Sequence, residues 1–474
     1  MKKLLLGFSL VLSLAHSVCA EESPEWPVPE NPALVHPGRY LTRSMALITE
    51  SSPQQRNTVR VLFYGQSITA QWSWPVQEYL KRSYPDVDFV FAHRAIGGFG
   101  AEYLVRTAPT DINSFYPDLM IFHDYTRVPE PYEAIIRQAL ENTTTDILLT
   151  NDHPTLPAQL EDEETQMQSK RFARILQHNR VFLPDLCERY QIEFADILSP
   201  WKQYLHRNQI EPQALLRDVV HLNDWGIFVM RHLIQDYLQY QPDFADPSVW
   251  NEKVKTYKLG QDLAWQGDRL ELEFEGNKID LVAGINEGNT SGIEIYIDGR
   301  KPSELLGTTA FTRASAYPGT WWPAVLRVSS ETPPVVEDWS LRIFDYNEEL
   351  TDFKFEVTGS VTGADGIGSS GERFVSKSGR VVIEPEDWSK LARARSMTKE
   401  APPEDFRITW KAVAHCADLF QAPAVSDYVS ETLVVAAQGF EPGKHTLTLV
   451  ARDSDSAESL AAIRIYNPSL PEME

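Results

Sequence analysis

The stretch Val59-Arg60-Val61-Leu62-Phe63-Tyr64-Gly65-Gln66-Ser67-Ile68-Thr69 decides how the chain is read. Its first six residues are apolar, β-branched or aromatic apart from Arg60, the composition of a buried strand. Gly65 ends the run and a helical pattern follows near 74–83. Ser67 is therefore expected on the turn past a strand's carboxyl end, where open α/β sheets place their ligands. Much later, Asp218-Val219-Val220-His221-Leu222-Asn223 sets an aspartate three residues before a histidine, ahead of an amphipathic stretch at 225–240. A serine becomes nucleophilic when a base removes its proton, and a carboxylate that orients and charge-stabilises the base completes the unit. Ser67, His221 and Asp218 are thus the candidate catalytic residues of a serine hydrolase.

Outward from that stretch, strand-like runs at 59–64, 88–92, 119–123, 146–150 and 192–194 alternate with helical patterns near 74–83, 100–107, 131–142, 166–190 and 225–240. Such alternation predicts an α/β domain over 56–245, a parallel sheet with helices on both faces. Residues 21–55 are Pro-rich and read as an arm leading into the first strand. Past a connector at 241–250, marked by Gln241-Pro242-Asp243 and Asp246-Pro247, the texture changes to short alternating runs between Gly, Asp, Asn and Pro. Residues 246–474 are expected to be all-β, as one large β-sandwich or two smaller modules.

Residues 1–20 read as a secretory signal peptide, with Lys2 and Lys3, an apolar run over 4–15, and Val18-Cys19-Ala20 as the cleavage site. The reading predicts export, to the periplasm or beyond. The run is too short to span a bilayer and no later stretch approaches that length, so no membrane span is expected. Cleavage leaves Cys187 and Cys416, read as unpaired. No Cys/His spacing resembles a zinc site, and neither a metal nor a cofactor is implied. The net charge of −23 repels phosphate backbones and anionic membranes, which argues against a nucleic-acid partner and leaves a neutral sugar open.

Ile96-Gly97-Gly98-Phe99-Gly100 follows the second strand and opens a helix, so its amides could face a developing oxyanion. The order Gly-x-Ser-Ile-Thr, Gly-rich loop, late Asp-x-x-His resembles the SGNH (GDSL-like) hydrolase superfamily over about 56–245, and within it bacterial carbohydrate esterases that carry an accessory β-sandwich. The resemblance implies an esterase that removes small acyl groups, O-acetyl foremost, from an acylated oligo- or polysaccharide. Ser67 then matches the nucleophile, Gly98 the oxyanion glycine, His221 the base and Asp218 its orienting acid. Two positions depart from the pattern. Gln66 stands where an aspartate is usual, and His123-Asp124-Tyr125-Thr126-Arg127 holds no asparagine to complete the oxyanion hole. Losing one such donor costs about 3 kcal/mol of transition-state stabilisation. Asn151, in Thr150-Asn151-Asp152-His153-Pro154, is the expected replacement, with His123 as the alternative.

Other readings stay open at this level. The chain could be a glycan-binding protein that has kept the fold, or Asp124, Asp152 and Asp218 could act on a glycosidic bond. Trp321-Trp322 either stack on sugar rings or anchor a sandwich core. Arg94 and Arg127 either meet an acidic sugar or form salt bridges. The run Gly363-Ala364-Asp365-Gly366-Ile367-Gly368 reads as a flexible loop in preference to a Ca²⁺ site.

Overall fold

A computed structural model describes residues 26–32 and 34–471, so the expected signal peptide lies outside the described residues. Strands β1 (Thr58–Gly65), β2 (Asp88–His93), β3 (Leu119–His123), β4 (Asp146–Thr150) and β5 (Glu193–Ala195) form a parallel sheet in the order β2-β1-β3-β4-β5. The two-residue period of β1 divides its side chains between two cores. Val59, Val61 and Phe63 pack with Trp72, Val76 and Leu80, while Leu62 and Tyr64 join Leu104 and Ile135 on the opposite face. From β1 the chain pairs outward with β2 on one side and β3 on the other. The loops leaving these strands therefore meet at a topological switch point, the crevice where such sheets bind ligands.

Gly65 closes β1 with φ of +143°, and a Cβ there would lie 2.1 Å from the carbonyl oxygen of His123. Only glycine lets β1 end so near the end of β3. The Pro-rich arm contains a helix the sequence reading missed, α1 (Thr42–Thr49). Its Met45 and Ile48 are buried in the same core as Val59 and Val61, so this part of the arm belongs to the domain. Helices α2 (Ser67–Ser83), α3 (Ala101–Ala108) and α4 (Pro129–Asn142) follow the first three strands as expected.

The β-rich region resolves into β6 (Val254–Lys258), β7 (Arg269–Ala283), β8 (Ile293–Ile297), β9 (Thr309–Phe311), β10 (Glu337–Phe344), β11 (Lys354–Gly359), β12 (Gly363–Ser369), β13 (Phe374–Val375), β14 (Val382–Ile383), β15 (Arg407–Ala414), β16 (Leu419–Phe420), β17 (Leu433–Ala451) and β18 (Leu460–Tyr466). One sheet runs β16-β8-β17-β7-β18-β6 and another β12-β11-β10-β15-β9. The two are nested: β9 to β15 are inserted between β8 and its neighbour β16. The run 363–368, expected to be a loop, lies in strand β12. Its Asp365 carboxylate is taken up by Ser378, whose N–H donates at 2.9 Å and whose hydroxyl donates at 2.6 Å.

The α/β domain and the inserted sheet share one apolar cluster, in which Phe99, Leu104 and Ile112 run on into Trp322, Val325 and Trp388. Arg106 reaches the buried Asp387 at 2.9 Å and Arg313 holds Asp111 at 2.6 Å across the same seam. A chain ending at residue 245 strips this cover from a large apolar face. It should aggregate on refolding while the full chain stays dispersed, and static light scattering of the two checks the outcome.

Candidate active site

Ser67 is the first residue of α2 and is half-buried, with Gln66 in extended conformation as the N-cap. His221 Nε2 lies 2.9 Å from Ser67 Oγ, and His221 Nδ1 lies 2.8 Å from Asp218 Oδ2. The Asp218 Oδ1 accepts the backbone N–H of His221 at 2.8 Å and of Val220 at 2.9 Å, a tight turn that presents the imidazole. These two amide bonds, His221's first, with further help from the ring, hold the Asp218 carboxyl down at about 2. It is therefore ionised throughout the range in which a histidine can act as base. With the ring proton on Nδ1 facing that carboxylate, Nε2 is free to accept the Ser67 hydroxyl. The geometry can thus draw a proton from serine into an imidazole whose positive charge is met at once.

Gln71, one turn after Ser67 on α2, was missed by the sequence reading. Its Oε1 accepts the N–H of Leu222 at 3.0 Å and its Nε2 donates to the Leu222 carbonyl at 2.8 Å. This two-point clamp ties the residue next to His221 to the helix that carries Ser67. The four-residue spacing from Ser67 was the available signal, since it puts both side chains on one face.

On the other side of Ser67 lies the loop after β2. The Ile96 N–H bonds to the Gly65 carbonyl at 2.9 Å. A Cβ on Gly97 would sit 3.7 Å from Ser67 Cβ, and Gly98 has φ of +78°. Among the described residues, the amides of Ser67 and Gly98 find no protein acceptor. Both indoles of Trp321-Trp322 reach this loop, donating to the Gly97 carbonyl at 2.8 and 2.7 Å. Trp322 is buried in the shared core whereas Trp321 is 61% exposed.

The expected third oxyanion donor is corrected by the structure. Asn151 is fully buried at the end of β4. Its Nδ2 donates to Asp196 at 2.8 Å, and its Oδ1 accepts the N–H groups of Ile197 (2.7 Å) and Leu198 (3.0 Å). The amide is spent on the turn that follows β5. The alternative, His123, is also fully buried, with Nε2 3.4 Å from Asp152. Burial pushes the Asp152 carboxyl up, but the His123 contact and the Arg127 guanidinium at 2.7 Å overcome this and hold it at about 2. Arg127 is therefore in a salt bridge, while Arg94 lies exposed.

The two departures from the family pattern turn out to be partners. Gln66 Nε2 donates to Asp124 Oδ1 at 2.9 Å. Asp124 Oδ2 accepts the Ala101 N–H at 2.8 Å and the Thr126 hydroxyl. An amide before the serine and an acid after β3 thus face each other. Burial pushes the Asp124 carboxyl up to about 6. Asp124 and Asp152 are both buried and already committed, Asp124 to Gln66 and Ala101 and Asp152 to Arg127.

Cys187 and Cys416 are both unpaired. Among the described residues no helix is long and apolar enough to cross a membrane, and no group of three side chains is placed to hold a metal ion. No protein-family model matches the chain, and no curated protein matches it. Among solved structures it is similar to a two-domain esterase active on acetylated mannans, at 13% identity over 88% of this chain and 93% of that one, with a TM-score of 0.32. It is also similar to an acetylxylan esterase from Geobacillus stearothermophilus, at 16% identity over 40% of this chain and 97% of that one, TM-score 0.33. An acetyl xylan esterase gives 22% identity over 38% and 98%, TM-score 0.32.

Asn151→Ala strands two buried amides, a loss on the order of 3 kcal/mol. Its expected signature is a lowered Tm in thermal unfolding, not a selective effect at Ser67.

Proposed function

We propose that the protein is an exported serine esterase that removes small acyl groups, acetyl above all, from a carbohydrate. The observation that carries the reading is the relay in which His221 stands 2.9 Å from Ser67 and 2.8 Å from Asp218, joining residues far apart in sequence. Ser67 Oγ attacks the ester carbonyl as His221 Nε2 takes its proton, and Asp218 stabilises the imidazolium. The tetrahedral oxyanion faces the free amides of Ser67 and Gly98. Collapse expels the sugar hydroxyl, protonated by His221, and leaves an acyl-serine. Water then repeats the sequence and releases the acid. The carbohydrate and the small acyl group follow from the resemblance in motifs, and export from the signal-like residues 1–20.

Ser67→Ala and His221→Ala should each abolish hydrolysis of aryl acetates and acetate release from an acetylated glycan. The double variant should be little worse, because the two act as one unit. Asp218→Asn should retain more, since Asp218 orients and stabilises without making a bond. A fluorophosphonate probe should label the wild type and not Ser67→Ala; labelling that survives the substitution sinks the proposal.

Gln71→Met removes the clamp beside His221 and keeps the side chain's length. Its expected effect is a loss of roughly tenfold or more in kcat, since small misplacements of a base are costly. Steady-state kinetics on an aryl acetate, with Tm as the control for folding, measure it.

A further inference from the structure

The carbonyl of Gly97 and the N–H of Gly98 belong to one planar trans peptide, so they point in opposite directions. Two indole N–H groups, from Trp321 at 2.8 Å and Trp322 at 2.7 Å, converge on that carbonyl and use both its lone pairs. The next carbonyl, of Gly98, accepts Lys390 Nζ at 3.1 Å. Lys390 is itself buried, its ammonium 3.6 Å above the ring of Tyr103. All three donors belong to the inserted part of the β-rich region.

A Gly-Gly pair has no side chain to keep its peptide from turning over. Turned over, the Gly97 carbonyl would face Ser67 and repel an oxyanion; held as it is, the opposite end presents the Gly98 N–H. A carbonyl that accepts two hydrogen bonds also makes the N–H of its own peptide a stronger donor. Trp321 is 61% exposed, so its own burial does not account for where it sits.

We propose that the β-rich region completes the oxyanion site of the α/β domain, with Trp321 and Trp322 as positioning residues that lock and polarise the Gly97–Gly98 peptide. The inference rests on the esterase reading. It accounts for how a site without the family's asparagine can bind an oxyanion: the remaining amide is braced from behind.

The test uses the full chain and the variants Trp321→Phe, Trp322→Phe and the double. One indole still holds the carbonyl in each single variant, so each should lose only a few-fold in kcat. The double should lose at least about tenfold with KM within about twofold, the mark of an interaction made in the transition state. Affinity for methylboronic acid, whose tetrahedral adduct on serine carries the oxyanion, should fall by the same factor. A second form of Trp322, replaced by 3-benzothienylalanine, keeps the shape of the ring and lacks only the N–H, and it should lose as much as Trp322→Phe. Wild-type kcat and boronate affinity in a folded double variant overturn the inference. So does a change confined to KM, or an undisturbed benzothienyl form. A wild type inert toward every ester, the boronate and fluorophosphonate overturns the esterase reading, and this inference with it.

Discussion

The site is built on the contact between the ends of β1 and β3, where Gly65 lies against the carbonyl of His123 closely enough that a Cβ would fall 2.1 Å from it. The same carbonyl accepts the Thr69 hydroxyl at 3.2 Å, which ties the first turn of α2 to β3. The Gly65 carbonyl in turn accepts the Ile96 N–H, which ties the loop after β2 to β1. Asp124, the next residue after β3, then joins Gln66 before the serine to Ala101 at the start of α3. Three loops are thus laced within a few residues of Ser67. The serine's position is a property of the sheet and not of a mobile turn.

The fourth loop is fixed differently. The segment carrying His221 comes from the far end of the α/β domain and is closed on itself by the Asp218 turn. It reaches the serine's helix through the Gln71 clamp. The Ser67–His221 contact is therefore placed through a side-chain amide on the serine's own helix.

Much of this was readable from sequence because it rests on periodicity and order. The third and fourth strands were placed to the residue, since short apolar runs bounded by polar residues leave little choice. Residue type and strand context pointed to Ser67, His221 and Asp218 as a set, and the structure brings the three side chains together. Asn151 was misread because a position after a strand locates a backbone, not the direction of a side chain, and a neighbouring Asp196 claimed the amide. The contact between Gln66 and Asp124 read as two defects because pairing between separate loops leaves no local mark. In the β-rich half, β7 and β17 are long strands that the short alternating runs of the sequence do not announce. Gly276 interrupts the first, and the register shift between Gln438 and Gly443 interrupts the second. The nesting of one sheet within the other depends on β8 meeting β16, a pairing that no spacing in the chain announces.

That nesting bears on the order in which the molecule comes into being. A chain made from its amino terminus emerges with the α/β sequence first, while the insertion that covers its apolar face is still to come. Ser67, His221 and Asp218 are thus made before Trp321, Trp322 and Lys390. The two strands that frame the insertion, β8 and β16, cannot pair until everything between them has been synthesised. The last part of the chain therefore sets the time at which Trp321 and Trp322 can reach the Gly97 carbonyl opposite Ser67.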